Sequence, residues 1–441
     1  MSFITTLKSL NKNVQLVFGY SFLQSLGRGI WLGNILSAYI YFFAGSSNIT
    51  LGWTSAATGI AFTAVLFPSG YLADRFRRDI LLKISSIFGL IGLIILIMAN
   101  NLTMIFVSLI FWGMAQGTGR PSLESLFADS LPSGSRSGIY SKIHLIRNGA
   151  QSIGPFLNIL LFIYFGNDWD LSILRTVMII GLMISMLSLI TLQFFDDDNA
   201  LTDISEAIEL EKVSEEDEPS LSKRRQYIPM ILVLSNLIVG AGAGMTIKFF
   251  PIFFLEVYSL QPIAVNAILG ATSITTGVTA IFAQKLSLKR GRVMMILVVQ
   301  GIATMCLFAL AFYPVIFLLV PIFIARGSLM NAAQPLSRSI LMDYVPKKNR
   351  GKWNSVESLA WGLFWNSSAV LGGYLIDYIS FSFAFTITGV IYLVSLVPLF
   401  TLMPLVRSEK PIAEVLQENN QETGDEEIRY TEKEEELIIS E

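Results

Sequence analysis

The sequence predicts an all-α membrane protein in which twelve transmembrane helices form two pseudo-symmetric six-helix bundles, with both termini cytoplasmic. Three observations lead to this prediction: the apolar composition, the placement of the basic residues and an internal repeat. The 441-residue chain is 53% hydrophobic and 15% charged, whereas soluble proteins carry about 25% charged residues. Runs such as 176–195 and 293–312 have the ~20 apolar residues that a helix needs to cross a bilayer. Unpaired backbone groups are costly in hydrocarbon, so these runs are predicted to be helices.

Each predicted span is an apolar segment that ends at polar or charged residues. The spans are 14–43, 51–73, 80–99, 102–127, 140–165, 171–194, 228–257, 263–286, 293–312, 314–341, 353–378 and 381–405. They divide the chain into an N-terminal bundle (1–195), an acidic cytoplasmic linker (196–227), a C-terminal bundle (228–406) and an acidic cytoplasmic tail (407–441). The linker and the tail are rich in acids and poor in apolar residues, so both are predicted to be disordered.

The lysines and arginines orient the chain in the membrane. With the N-terminus in the cytoplasm, 25 of the 31 basic residues fall on cytoplasmic segments or at the span ends beside them. Basic residues concentrate on the cytoplasmic side of membrane proteins. We therefore expect an integral, multi-pass protein of a plasma or organelle membrane.

The two predicted bundles repeat each other in sequence. Residues 121–141 align without gaps with residues 335–355 at an offset of 214, and the same offset carries 70–79 onto 284–293. The matched positions include Asp129 with Asp343 and Arg136 with Arg350. Repeats in parallel orientation are typical of transporters whose two bundles rock around a central site.

The stretch GYLADRFRRD (70–79) lies between the second and third predicted spans. It resembles the signature that the major facilitator superfamily carries at this place, through Gly70, Leu72, Ala73, Asp74, Arg75, Arg77 and Arg78. The resemblance extends over about residues 10–405. It implies two six-helix bundles around a cavity that opens alternately to either side, with spans 1, 4, 7 and 10 lining the cavity.

Two further marks of this family are incomplete. The stretch MAQGTGRP (114–121) resembles a span 4 motif, but Gly113 stands where the family has an arginine. In span 5 only the Gly-Pro core at 154–155 is kept, and Asn158 occupies a position where a glycine is usual. Both motifs are associated with proton-coupled drug antiport, so these departures disfavour that activity.

Charged residues at the cytoplasmic span ends are candidates for a gate. By the resemblance, Asp74 faces the N-terminus of span 11, whose partial positive charge lets a carboxylate hold the cytoplasmic side shut. Arg78 is also explained as a simple topological anchor. The repeat-equivalent Glu124 and Arg338 form either a pair across the bundles or separate pairs with other groups. The gate candidates are Gly70, Asp74, Arg75, Arg78, Glu124, Asp129, Arg136, Arg338, Asp343 and Arg350.

Four basic residues, Arg28, Arg120, Lys248 and Arg326, lie within the spans that line the cavity by the resemblance. Ionisable groups inside a membrane are costly and mark candidate functional sites. No acid lies at a comparable mid-membrane depth, and guanidinium and ammonium groups pair well with carboxylate or phosphate. The four are predicted to bind an anionic substrate. The competing explanation is that Arg28 or Arg326 satisfies carbonyl oxygens or a carboxylate within one bundle.

The sequence thus predicts a secondary active transporter of a small organic anion that works as a monomer in the lipid bilayer, with a coupling ion or proton as a further partner. Two alternatives remain: a proton-coupled drug efflux antiporter, if Glu124 or Glu357 faces the cavity, and a membrane receptor or scaffold that does not transport. The sequence has no phosphate-binding loop, metal-ligand cluster or catalytic-triad spacing. We expect no enzyme activity, no cofactor or metal, and no nucleic-acid partner.

We expect Asp74→Asn to weaken the outward-open state and to lower transport, because the neutral amide loses its attraction to the positive end of span 11. The counterpart of Asp74 in the second repeat is Leu288, so this latch acts on one side only. Transport into liposomes and thiol labelling of the cytoplasmic cavity measure the two effects. Wild-type transport together with wild-type labelling of the mutant would contradict the gating role.

Overall fold

The computed structural model of the chain describes residues 11–73, 75–131, 136–199, 227–345 and 350–406, and these ranges are helical without any strand. The helices before the linker, here called the first half, are α1 (Lys12–Trp31), α2 (Asn34–Phe43), α3 (Asn48–Ala73), α4 (Arg78–Met98), α5 (Leu102–Asp129), α6 (Arg136–Phe165) and α7 (Leu171–Thr191). Those of the second half are α8 (Ile228–Gly244), α9 (Phe250–Tyr258), α10 (Pro262–Arg290), α11 (Arg292–Ala311), α12 (Ile316–Tyr344), α13 (Arg350–Leu359), α14 (Trp365–Tyr378) and α15 (Phe381–Phe400).

Nine helical segments within the described ranges are long and apolar enough to cross a membrane. They correspond to nine of the predicted spans. The other three, 14–43, 140–165 and 353–378, are helical as well. Two of them are interrupted helices, and α6 has a lower hydropathy because polar residues such as Gln151 and Asn158 lie along it. The prediction of an all-helical membrane protein is confirmed, whereas the count of twelve spans stays a prediction.

Three of the predicted spans are broken near their middle. Residues 32–33 separate α1 from α2, and residues 245–249, with a 3-10 turn at Ile247–Phe249, separate α8 from α9. A π-helical turn, Ala360–Phe364, joins α13 to α14. The first two breaks are related by the same 214-residue offset as the sequence repeat. Non-helical backbone at membrane depth is tolerated only where protein buries it or where it lines a cavity, so these breaks mark the interior of the molecule.

The packing of the helices follows the sequence repeat. In the first half, α5 packs against α3 and α4, and α1 packs against α6 and α7. The second half repeats these contacts, because α12 packs against α10 and α11, and α8 packs against α14 and α15. The duplicated sequence therefore corresponds to a duplicated arrangement of helices.

Short connections make successive long helices alternate in direction, so the loops fall on two faces of the molecule. We call the face that carries residues 199 and 227 the linker face. The opposite face, which we call the distal face, carries the loops 44–47, 99–101, 166–170, 259–261, 312–315 and 379–380.

Helix α1 lies between α6 and α7, and glycines allow it to contact both helices closely. A Cβ atom on Gly29 would lie 2.6 Å from the Gln151 carbonyl oxygen of α6, and one on Gly154 would overlap the backbone of Gly29. On another side of α1, a Cβ atom on Gly27 would lie 2.8 Å from the backbone nitrogen of Ser185 in α7. These contacts fix the position of α1. Because successive residues lie 100° apart around a helix, the side chain of Arg28 points between the directions of Gly27 and Gly29.

We expect Gly154→Ala to destabilise the protein by about 1–3 kcal/mol, because overpacking a close helix contact forces the backbones apart. Thermal unfolding of the purified protein in lipid nanodiscs measures the effect. Gly149→Ala is the matched control on the same helix, since a Cβ atom there would meet nothing within 4 Å. Equal melting temperatures for the two variants would show that the α1–α6 contact does not limit stability.

Candidate functional site

The two halves pack tightly against each other towards the distal face. Here α3 lies along α14, α6 lies along α10, and α2 contacts α9. A Cβ atom on Gly52 would lie 2.5 Å from the Ala369 carbonyl oxygen, and one on Gly373 would lie 2.5 Å from the Asn48 carbonyl oxygen. Helices α3 and α14 therefore touch backbone to backbone, which brings the two halves together at this end.

Polar contacts across the halves reinforce the distal closure. The Asp377 carboxylate at the end of α14 accepts hydrogen bonds from Asn48 Nδ2 at 2.8 Å and from the Ile49 backbone N–H at 3.0 Å. It thereby caps the N-terminus of α3, where a negative charge is favoured. Further bonds between the halves run from Asn34 to Asn266 (2.8 Å), from Trp169 to Leu260 (2.7 Å) and from Ile263 to Asn167 (2.9 Å).

At the linker face, by contrast, the ion pairs among described side chains stay within one half. Arg78 of α4 pairs with Asp129 of α5, and Arg292 of α11 pairs with Asp343 of α12 at 2.5 Å. The 214-residue offset carries the first pair onto the second. Each half thus holds its own helical hairpin together by an ion pair. Three of these four residues, Arg78, Asp129 and Asp343, are gate candidates, and Arg292 is the repeat equivalent of Arg78.

The start of the linker is folded onto the first of these hairpins. Arg77 contacts Asp196 at 3.2 Å and Asp198 at 3.1 Å, and the Arg78 backbone N–H donates to Asp197 Oδ2 at 3.1 Å. Residues 197–199 form a 3-10 turn. The predicted disordered linker begins at 196, but its first four residues are ordered because the basic end of α4 binds their carboxylates. The rest of that prediction, 200–226, lies outside the described residues, as does the tail.

The pair expected across the halves is not formed in this conformation. Glu124 of α5 accepts a hydrogen bond from Arg147 of α6 at 2.8 Å, and Arg147 Nε also donates to Ser21 of α1 at 3.1 Å. Arg338, the other member of the expected pair, is exposed on α12. The alternative in which Glu124 pairs within its own half therefore applies here.

A polar cleft opens towards the linker face between the halves. Arg120 is exposed although it lies within a membrane-spanning helix. Its charge interacts with Glu124 and Arg147 of its own half and with Arg338 and Glu357 of the other half. The helices that carry Arg120 and Arg338, α5 and α12, make no extended contact. These side chains therefore face each other across open space.

Helix α12 presents a polar stripe to this cleft. Asn331, Gln334 and Arg338 are all exposed, and their spacing of three and four residues places them on one helix face. A polar stripe inside a membrane-spanning helix is costly against lipid. The stripe therefore lines the cleft.

Arg28 is the second cation of the cleft. It is partly exposed, and its charge interacts with Tyr20 and Arg120. Its Nε atom is buried without a hydrogen-bond partner. Within the described part of the chain neither Arg28 nor Arg120 is ion-paired with an acid, and the charge of Arg120 acts on that of Arg28.

Lys248 closes the distal end of the cleft. It lies at the break between α8 and α9, where its ammonium group donates to Ser55 of α3 and, at 2.6 Å, to Asn366 Oδ1 of α14. Its Nζ atom also lies 5.2 Å from the centroid of the Trp365 ring, a favourable cation–π arrangement. The residue at the equivalent break in the first half is Asn34, and it too bonds to the opposite half. Both helix breaks therefore supply a polar group that joins the halves.

Arg326 is not grouped with these cations. Its side chain is only 5% exposed, its guanidinium carbon lies 4.9 Å from the Phe250 ring centroid, and it donates to the Tyr392 hydroxyl at 3.3 Å. These partners all belong to the second half. Arg326 is thus buried inside one bundle, where its partners are a hydroxyl group and an aromatic ring rather than the carbonyl oxygens or carboxylate of the competing explanation.

The remaining gate candidates stand as follows. Arg75 lies 4.3 Å from the centroid of the Tyr71 ring, and a Cβ atom on Gly70 would meet nothing within 4 Å. Asp74 lies outside the described residues. Arg136 and Arg350 begin α6 and α13, and their side chains are outside the description.

Comparisons with known proteins agree with this arrangement. The sequence profile of the Major Facilitator Superfamily matches residues 17–327 and 232–429, which together cover most of the chain. The chain belongs to the Major Facilitator Superfamily. It is therefore an integral multi-pass membrane transporter and not an enzyme, as the sequence predicts.

A curated member of this superfamily has a similar sequence. The uncharacterized MFS-type transporter YdeE of Escherichia coli (strain K12) is 29% identical over 158 residues, or 35% of this chain. The match spans 38% of the length of that relative.

Solved structures of superfamily transporters have the same fold. A crystal structure of a mutant nucleoside transporter NupG has a TM-score of 0.66 at 15% identity, with 90% of this chain and 100% of that chain covered. A bacterial homologue of the iron transporter ferroportin in its inward-facing state has a TM-score of 0.66 at 13% identity over 91% and 99% of the chains. A bacterial homologue of the lysosomal transporter Spinster, inward-facing and unoccupied, has a TM-score of 0.67 at 13% identity over 89% and 96%.

Sequence reasoning misses several residues of this superfamily member's cleft. Arg147 lies near the end of a predicted span, where the positive-inside rule already explains a basic residue. Its sequence position therefore does not indicate that it pairs with Glu124. Ser55 and Asn366 are uncharged residues in apolar helices and give no signal on their own. The spacing of Asn331, Gln334 and Arg338 is the one pattern that could reveal part of the lining from sequence.

We expect Gly373→Val to disfavour the distal-closed conformation of this superfamily protein, because the new side chain overlaps the backbone at Asn48. A penalty of about 1–3 kcal/mol corresponds to a 5- to 150-fold change in the conformational ratio. Spin labels on the loops 44–47 and 379–380 should report longer distances. Gly301→Val is the control, since a Cβ atom there meets nothing within 4 Å. Unchanged distances in Gly373→Val would argue against α3–α14 contact as the distal closure.

Proposed function

We propose that this protein is a secondary active transporter that moves a small organic anion by alternating access. The observation that carries the proposal is that the like charges of Arg28 and Arg120 act on each other in the cleft, while neither residue is ion-paired to a described acid. Like charges in a partly dehydrated site repel each other, and an anion between them relieves that repulsion. Guanidinium groups also match carboxylate and phosphate by bidentate hydrogen bonding.

The balance of charge around the cleft supports an anionic cargo. Four cations, Arg28, Arg120, Arg147 and Arg338, face the cleft together with two acids, Glu124 and Glu357. One of those acids is already neutralised by Arg147. A narrow site with excess positive charge raises the local concentration of anions and lowers that of cations.

Lys248 gives this transporter a way to couple substrate binding to opening of the distal side. Its ammonium group now holds Ser55 and Asn366, which lie on opposite sides of the distal seam. A substrate carboxylate or phosphate that reaches the distal end of the cleft would compete for the same ammonium group, because a charged acceptor binds it more strongly than a neutral one. Substrate binding would thereby loosen the distal seam and favour opening on that side.

A second candidate function is proton-coupled antiport, and Glu357 favours it. This carboxyl group accepts a weak hydrogen bond from Asn236 at 3.4 Å, and it interacts with Arg338 of its own half and with Arg120 across the cleft. A carboxyl group inside a cleft of this kind can carry a coupling proton. The incomplete antiporter motifs of the sequence speak against a drug as the partner of such a proton.

A thermal-shift screen of the purified protein tests the anion proposal. We expect carboxylates or phosphomonoesters to raise the melting temperature, with a ligand at a hundred times its Kd adding about 2.7 kcal/mol of stability. Arg28→Ala and Arg120→Ala should each weaken this binding by about 10- to 150-fold, since a charge-assisted contact is lost. Arg290→Ala, at the exposed end of α10, is the control of equal charge change and should keep the shift.

The same screen separates the two candidates. Stabilisation by lipophilic cations alone, with no response to anions, would contradict the anion proposal. Glu357→Gln in liposomes with an imposed pH gradient then reports on coupling: loss of gradient-driven uptake with retained exchange supports a proton carried by Glu357. Gradient-driven uptake at the wild-type rate would rule that role out.

A further inference from the structure

A groove on the outer wall of the second half is separate from the cleft. It lies between α10 and α11 and has a volume of about 430 Å³. Apolar side chains form its walls, among them Phe282 of α10 and Val298 and Ile302 of α11, with Leu329 of α12 as its floor. Phe282 is 68% exposed and Ile302 is 49% exposed, so the groove is open along its length.

The groove faces lipid. Helix α10 is the least buried of the nine membrane-capable segments, because only 22% of its apolar 18-residue stretch is buried inside the protein. Its contact with α6 involves Gly270, which packs on Phe156 of the first half. At 100° per residue, Phe282 and Leu286 point about 120–160° away from Gly270. The groove is therefore turned away from the seam between the halves and towards the surrounding bilayer.

The length of the groove matches one leaflet. It runs from Lys289, next to the end of α10 at the linker face, to Thr279 on the same helix and Ile302 on α11. Thr279 is eleven residues before the end of α10, which corresponds to a depth of about 16 Å at 1.5 Å per residue. Half of the ~30 Å hydrocarbon core is about 15 Å, so an extended acyl chain fits along the groove.

Two cations that form no ion pair with a described residue lie at the linker-face end of the groove. Lys285 and Lys289 are exposed, line the groove and lie one helical turn apart. Within the described part of the chain neither ammonium group is ion-paired. Their counterparts in the first half at the 214-residue offset are Tyr71 and Arg75. There the cation lies over the tyrosine ring. At these two positions the second half has two exposed lysines that can bind an anion. The first half has a single cation, Arg75, which stacks on Tyr71.

We propose that this groove is a binding site for an anionic phospholipid of the leaflet on the linker side, with an acyl chain along Phe282 and Val298 and the phosphate held by Lys285 and Lys289. Basic residues beside an apolar groove at headgroup level complement a lipid that carries negative charge. The acidic tail of the chain is a poorer occupant, because its carboxylates would lose their hydration between apolar walls.

Native mass spectrometry of the full-length protein, titrated with phosphatidylglycerol and with phosphatidylcholine of the same acyl chains, tests the site. We expect the wild type to prefer phosphatidylglycerol. The double variant Lys285→Gln/Lys289→Gln should lower that preference by roughly 25-fold, since each basic residue near a lipid headgroup contributes about fivefold. Lys285→Arg/Lys289→Arg keeps the charge and should keep the preference. Val298→Trp fills the groove and should weaken phosphatidylglycerol binding although both lysines remain.

The controls separate this site from general charge effects. Lys12→Gln/Lys83→Gln removes the same charge at the linker face of the first half and should leave the preference unchanged. An equal loss in that control, or an unaltered preference in Lys285→Gln/Lys289→Gln, would overturn the proposal. Full competition by glycerol 1-phosphate would also overturn it, since a soluble phosphate cannot occupy the apolar groove. Melting temperatures without added lipid verify that each variant is folded.

Discussion

The backbone contact between α3 and α14 is the constraint on which the rest of the site depends. Gly52 and Gly373 allow the two helices to approach so closely that a Cβ atom on either glycine would lie 2.5 Å from a carbonyl oxygen of the other helix. This approach brings the α3 N-terminus onto Asp377 and places Ser55 and Asn366 within reach of Lys248. Because the halves meet at the distal face, the opposite ends of α5 and α12 stand apart, and the polar cleft opens towards the linker face.

The internal repeat explains the scaffold, and the departures from it explain the site. Arg78–Asp129 and Arg292–Asp343 are the same ion pair in two copies, and each holds a helical hairpin within its own half. Such pairs at a solvated face contribute about 0–1 kcal/mol each, so their value lies in positioning the hairpins. The chemistry of the cleft comes from residues that the repeat does not copy. Arg28 corresponds to Gly242, and Lys248 corresponds to Asn34.

Much of this arrangement was predictable from the sequence. The apolar runs predicted the helices because lipid leaves the backbone few other ways to satisfy its hydrogen bonds. The offset of 214 predicted duplicated halves, and unpaired cations in apolar helices predicted an interior polar site. Arg28 and Arg120 interact electrostatically, and their role in binding an anion stays a prediction. Arg326 has the same sequence context but is buried against Phe250 and Tyr392, because the side of a helix on which a residue lies is set by its packing and not by its depth.

By itself, the sequence determined the class of the protein, its helical spans, its repeat and the presence of costly intramembrane cations. These features follow from local composition and periodicity, because the apolar and charged residues of each segment decide by themselves whether that segment enters the bilayer. Only the tertiary structure decided which charges meet. Glu124 binds Arg147 rather than Arg338, and Lys248 binds uncharged groups of two helices that are more than a hundred residues apart in the chain. Which side chains become partners depends on how the two halves pack against each other. That packing depends on close glycine contacts between helices that are far apart in the sequence, so no single stretch of sequence predicts it.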